Sequence, residues 1–385
     1  MIELKKGYED HDRKARETLD AVFRFTNRKA AVIIDDVNYW TFGELLDDIP
    51  EQYYGDDPGV MMEYQLKKIE RHYGCYEGSD CYQAFLMPWY GTAVLASGFG
   101  LPIVKNYKAD PAAGLSAIKK PEELKALKPP DPEKDGLMPQ VLKTLRYFKE
   151  RCDLPVGVTD CQGPLTTALS VVGYDNFCYW MYDHPKVIHG LMETVTDALI
   201  EWVRCQKRFA SIPMESDSFP LGVRMPDGCG GVWMSDDDSV MIGGPQYREF
   251  VVPYNSRLLE AFGGGCIHYC GTATQHIESF LNTKGLRAIN NLNLDNIPAA
   301  AEMKKALGSK GIVYMACDFV PNDSRLVPYY KELFSAMGDQ RGLIVVSYVA
   351  PAIELEKGRY AESRRGQFEL GKKVKRVIDE EMGRR

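Results

Sequence analysis

Residues 265–320 read GCIHYCGTATQHIESFLNTKGLRAINNLNLDNIPAAAEMKKALGSKGIVYMACDFV. Short apolar runs at 266–269, 288–294 and 312–316 predict strands. Between them, 272–282 and 299–307 carry apolar residues at helical spacing. The same alternation continues outward. On the C-terminal side it predicts a helix at 327–337, a strand at 343–349 and a helix at 367–380. On the N-terminal side it predicts a strand at 154–159 ending on Asp160, then helices at 165–172, 184–209 and 245–262. Residues 213–235 are Gly- and Met-rich and predict one weak strand at most. Strands alternating with helices imply parallel pairing through crossover connections. Neither a GxGxxG nor a P-loop follows an early strand, so a β/α barrel is expected rather than an open nucleotide-binding sheet. The first third reads as a helix over 1–29, a strand at 30–34, a helix at 60–75, a polar Pro-rich connection at 105–138 and a helix at 140–150. On this reading residues 1–60 form an N-terminal helical, capping extension and residues 61–385 form the barrel.

The chain has 385 residues, of which 45% are apolar and 26% charged, with a net charge of -7. That composition suits a globular protein and excludes disordered or fibrous classes. Acidic residues are spread along the chain, which argues against nucleic acid or an anionic membrane as partner. There is no apolar run long enough to cross a bilayer and no apolar leader segment, so a cytoplasmic protein is expected. The ten cysteines include no CxxC pair, which excludes zinc ribbons and thioredoxin-type redox chemistry.

In a β/α barrel the chemistry sits at the C-terminal ends of the strands. Polar residues at those ends are Asp160, His268, Cys270, Asn290, Asn291, Asp295, Cys317, Asp318, Ser347 and Tyr348. His268 and Cys270 are two apart on a strand, so imidazole and thiolate share a face and can meet on one ion. Zn²⁺ suits that mixed pair, and Cys317 is the candidate third ligand. Asp236, Asp237 and Asp238 form a run that reads either as an acidic cap or as a source of a metal-binding or substrate-binding carboxylate. Asp80 and Asp160 read either as general acids or bases or as hydrogen-bonded structural carboxylates. His72, His184, His189 and His276 lie in or beside helices and read as structural.

Several segments together resemble the uroporphyrinogen decarboxylase superfamily: DCYQAFLMPWYGTAVLASGFG (80–100), IKKPEELKALKPPDPEKDGLMPQVL (118–142), DCQGPLTTALSVVGYDNF (160–177), GGPQYREFVVPY (243–254) and IHYCG (267–271). The resemblance implies a distorted (β/α)8 TIM barrel. True decarboxylases of that superfamily bind their polycarboxylate substrate with an Arg-rich N-terminal segment. Here FTNRKAAVIIDDVNYW (25–40) holds only Arg28. The other branch contains zinc-dependent methyltransferases that work with corrinoid proteins, and its HxC motif matches His268 and Cys270. The later cysteine of that motif is missing from its usual place, which here reads VSYVA (346–350), and this leaves Cys317 as the substitute. Relatives that demethylate ethers or amines use carboxylates with histidine, a set that the aspartates at 236–238 could supply. The expected activity is methyl transfer between a small methylated ether, amine or thiol and cobalamin held by a separate corrinoid protein, since no DxHxxG corrinoid motif occurs here. The alternative is metal-free decarboxylation of a tetrapyrrole-type substrate, with Asp80 in the place of the family aspartate. Association into a homodimer is left open.

Overall fold

The computed structural model describes residues 8–35, 52–76, 80–105, 110–216, 223–292, 294, 296–321, 323–349 and 364–383. In chain order the elements are α1 (Tyr8–Phe23), β1 (Ala31–Asp35), α2 (Pro58–Tyr76) and α3 (Val94–Gly98). A two-stranded antiparallel ladder of β2 (Ile103–Val104) and β3 (Ala112–Ala113) follows, then α4 (Met138–Arg151), α5 (Pro164–Val172), α6 (Tyr174–Asp183) and α7 (Pro185–Ala210). The C-terminal half runs β4 (Val232–Ser235), α8 (Gly244–Phe250), α9 (Val252–Glu260), β5 (Gly265–Cys270), α10 (Ile277–Asn282) and β6 (Leu286–Leu292). It ends with α11 (Ile297–Gly308), β7 (Val313–Phe319), α12 (Leu326–Met337), β8 (Leu343–Tyr348) and α13 (Arg364–Gly383).

Six strands form one parallel sheet in the order β1-β8-β7-β6-β5-β4. Their residues are buried almost throughout, as expected of strands covered by helices on one side and by barrel contents on the other. Two extended segments complete the ring. Cys81 N–H donates to Val32 O of β1, Leu86 and Val156 form a parallel bridge, and Gln162 and Ser235 form another. The architecture is therefore a distorted β/α barrel in which two of the staves, around 81–87 and 155–162, are irregular. The strand predicted at 154–159 is one of these. Pro155 has no N–H for a ladder, and only its carbonyl is used, by Leu86 N–H.

Two boundaries differ from the sequence reading. Residues 31–35, assigned there to the extension, supply a full strand paired with β8 over five residues, so among the described residues α1 alone precedes the barrel. The helix expected over 245–262 is two helices. Val251 leaves helical geometry at φ -122° just ahead of Pro253, which cannot donate back to the preceding turn. No helix among the described residues is long and apolar enough to cross a membrane.

At Gly265 the start of β5 has no room for a side chain against β4. A Cβ there would stand 2.1 Å from Val232 O and 2.9 Å from the Leu259 side chain. Gly265→Ala should therefore push β5 off β4 and cost about 2 kcal/mol or more. A urea midpoint equal to that of the wild-type protein would contradict this packing.

Candidate metal centre at the mouth of the barrel

β5 sets two of the three key side chains. Its alternation turns His268 and Cys270 inward, while Tyr269 points out and stacks on Phe280 of α10 with ring centroids 5.8 Å apart. The third side chain comes from the turn after β4. Ser235 pairs with His268, and Asp236 N–H extends that ladder by donating to His268 O at 2.7 Å. A single 3-10 turn over Asp237–Met241 then carries the chain away.

Asp237, His268 and Cys270 each offer a ligand atom, and these atoms lie within 4.8 Å of one another. Asp237 Oδ1 is 3.4 Å from His268 Nε2, and Cys270 Sγ is 3.6 Å from the same nitrogen. Ser235 Oγ donates to the other Asp237 oxygen at 2.5 Å, which leaves the buried Oδ1 to the longer 3.4 Å contact with His268. A buried carboxylate oxygen with only one long contact is costly to desolvate unless a cation meets it. One oxygen, one nitrogen and one sulfur donor fit a borderline-soft divalent ion such as Zn²⁺, with coordination positions left over for substrate.

Burial opposes charge on both acid and base here, but their mutual attraction outweighs it. Burial raises the Asp237 carboxyl, while the His268 hydrogen bond and charge, together with Ser235 and Cys270, pull it down to about 2. Burial lowers His268, while hydrogen bonds and charge from Asp237 and Cys270 hold it up at about 10. The Cys270 thiol is raised by burial, against the pull of His268. Without metal, the pocket is thus an ion pair beside a thiol. A divalent cation held by these three side chains would displace protons from His268 and Cys270.

Asp160 shares this environment. It is buried, and Gln162 Nε2 donates to it at 2.7 Å. Burial raises its carboxyl to about 7, the Asp237 charge adds to the rise, and Gln162 and His268 oppose it. Asp236 faces the other way, into the helices outside the barrel. Tyr247 OH of α8 donates to its Oδ2 at 2.6 Å and Asn255 Nδ2 of α9 at 3.0 Å, while burial raises its carboxyl to about 6.

Two expected site residues stand elsewhere. Asp80 accepts from Ile34 N–H at 2.9 Å and lies 3.3 Å from His72 Nε2 of α2, so it ties α2 to β1 and is not in the centre. Cys317, the expected third ligand, is fully buried behind Asn290, whose Nδ2 donates to its sulfur at 3.2 Å; Asp237 occupies the third corner instead. Of the other strand-end residues, Asn291 donates to Tyr314 OH, Asp318 accepts from Tyr329 OH and Ser347 pairs with Tyr330 OH. Asp295 lies outside the described residues. Gln162, Ser235, Tyr247 and Asn255 went unassigned in the sequence. Only Gln162 carried a signal, since it follows Asp160 by two in the segment DCQGP.

Residues 57–218 match the family model for uroporphyrinogen decarboxylase (URO-D). No curated protein matches the sequence. Among solved structures, a methyltransferase from Methanosarcina mazei superposes with a TM-score of 0.66 at 14% identity, covering 96% of this chain and 98% of that one. At that identity the likeness shows the fold. The resemblance to the uroporphyrinogen decarboxylase superfamily is borne out, and the barrel is one that this methyltransferase shares.

The buried Asp160 sets a pH dependence. Its carboxyl titrates higher in the folded chain than in the unfolded one, so the native state holds the extra proton between about pH 4 and 7 and loses stability as pH rises through that window. Asp160→Asn removes the burden. In metal-free protein its stability relative to wild type should grow from pH 5 to pH 8 by on the order of 2–4 kcal/mol, read from urea unfolding at each pH. A difference independent of pH would contradict the assignment.

Proposed function

We propose that the protein is a zinc-dependent methyltransferase that moves a methyl group from a small methylated substrate to the cobalamin of a separate corrinoid protein. The observation that carries the reading is the convergence of Asp237, His268 and Cys270 within 4.8 Å, in a barrel of the same fold as a methyltransferase. The ligand set also bears on the substrate. With a carboxylate at the third corner in place of a second thiolate, the centre is harder and less electron-rich. That favours drawing electrons from an ether oxygen or amine nitrogen over activating a thiol as nucleophile. The reading therefore narrows to demethylation of an ether or amine.

When bound, the ion would act as a Lewis acid toward the atom that carries the methyl group. The chain's own residues do the rest. Ser235 fixes one oxygen of Asp237 so that the other faces inward. His268 is fixed through its second nitrogen by Asn290 at 2.6 Å. The Asp160 carboxyl, pushed up to about 7 by burial and within the electrostatic reach of Asp237 and His268, can supply the proton the departing oxygen or nitrogen needs once its methyl group leaves. Gln162 orients that carboxyl.

Elemental analysis of the purified protein should find about one zinc per chain. Cys270→Ser should lose both the zinc and methyl transfer to free cobalamin, and Asp237→Asn should weaken zinc binding by tenfold or more. A Cys270→Ser protein that is metal-free and fully active would overturn the reading.

A further inference from the structure

Asn290 occupies an unusual position. On β6 it pairs with His268 of β5 on one side and with Met315 of β7 on the other, so the three residues form one row across the sheet. Its side chain is fully buried and bonded at both ends. One end meets His268 Nδ1 at 2.6 Å, and the other meets two sulfurs, Cys317 Sγ at 3.2 Å and Met315 Sδ at 3.7 Å. An amide can point either way in a symmetric setting, but this setting is not symmetric. A thioether can only accept, and the Cys317 thiol has Met315 O 3.5 Å away as an acceptor for its own hydrogen, so its sulfur is available to accept as well. Two acceptors at one end require the NH₂ there. The amide oxygen must then face His268, where only an Nδ1–H can satisfy it.

We infer that Asn290 is a positioning residue whose amide, oriented by the sulfurs of Cys317 and Met315, keeps the proton of His268 on Nδ1 and directs Nε2 at Asp237 and Cys270. This inference rests on the metal-centre reading above and adds a role for Cys317, which acts on the site through Asn290 rather than as a ligand. The usual partner of a metal-binding histidine is a carboxylate or a main-chain carbonyl. Here a neutral amide does the work, because two soft acceptors remove its freedom to flip.

Two measurements separate this inference from the reading beneath it. The first is ¹⁵N-histidine NMR on metal-free protein. In wild type the His268 Nδ1–H should exchange slowly with solvent, and in Asn290→Leu that protection should vanish. The second is titration with Co²⁺ and Zn²⁺ against a chromophoric chelator. Asn290→Leu should bind 10- to 100-fold more weakly, and Asn290→Asp, which still accepts from Nδ1–H, should stay within about threefold of wild type. Cys317→Ala should keep the full intensity of the Co²⁺–thiolate charge-transfer band, since Cys270 supplies the one thiolate.

If Asn290→Leu fails to fold, Asn290→Asp and Cys317→Ala still test the inference. A band reduced by half in Cys317→Ala would make Cys317 a ligand and overturn it, as would an Nδ1 that carries no proton or unchanged affinity in folded Asn290→Leu. If wild type binds neither metal, the metal reading fails, while a protected Nδ1–H lost in Asn290→Leu would still establish the amide lock.

Discussion

The centre depends on one main-chain hydrogen bond, from Asp236 N–H to His268 O. It is the last rung of the β4–β5 ladder, one residue beyond the end of β4. Parallel pairing fixes which residue of one strand lies beside which of the next, and a slip of one position would turn each side chain to the opposite face. With the rung in place, Asp236 turns outward to Tyr247 and Asn255, and Asp237 turns inward to His268. The glycine at 265 matters for the same reason. It lets the two strands approach at the start of the ladder whose far end positions the site.

Three carboxylates lie around this rung, Asp160 and Asp236 buried and Asp237 half-buried, and each meets the cost of desolvation in a different way. Asp237 keeps its charge by pairing with His268, which holds its carboxyl at about 2. Asp236 finds two donors but no cation, and burial moves it up to about 6. Asp160 has one donor, lies near the charge of Asp237, and moves further, to about 7. Adjacent groups of one chemical type are thereby driven apart in acidity, which is the usual route by which a site acquires both a fixed anion and a proton donor at neutral pH.

Much of this was legible in the sequence. The alternation after residue 154 gave the barrel because those elements obey local periodicity, and the two-residue spacing of His268 and Cys270 gave their shared face directly. The irregular staves were harder. Pro88, Pro155 and Gly157 interrupt their patterns, and what holds them is tertiary pairing with β1 and β4 rather than local propensity. The run of aspartates at 236–238 could not be resolved from sequence either. Three neighbouring residues of one type are told apart only by where the strand ends and which way the following turn goes.

Cys317 shows a more general limit. Its backbone register looks favourable for a ligand, since Cys270 pairs with Leu292 and Leu292 with Cys317. But barrel strands lie about 4.8 Å apart and tilt by about 36°, so each step across the sheet shifts the level by roughly one residue. Two steps from β5 to β7 amount to about two residues, and the complete burial of Cys317 beside the half-buried Cys270 fits a deeper level for Cys317. A residue at the end of a strand is therefore at the mouth only if the stagger leaves it there. The depth that removes Cys317 from the ligand set also brings its sulfur against Asn290, in the layer directly beneath His268, where a soft acceptor can settle the orientation of an amide that water would otherwise leave free to turn.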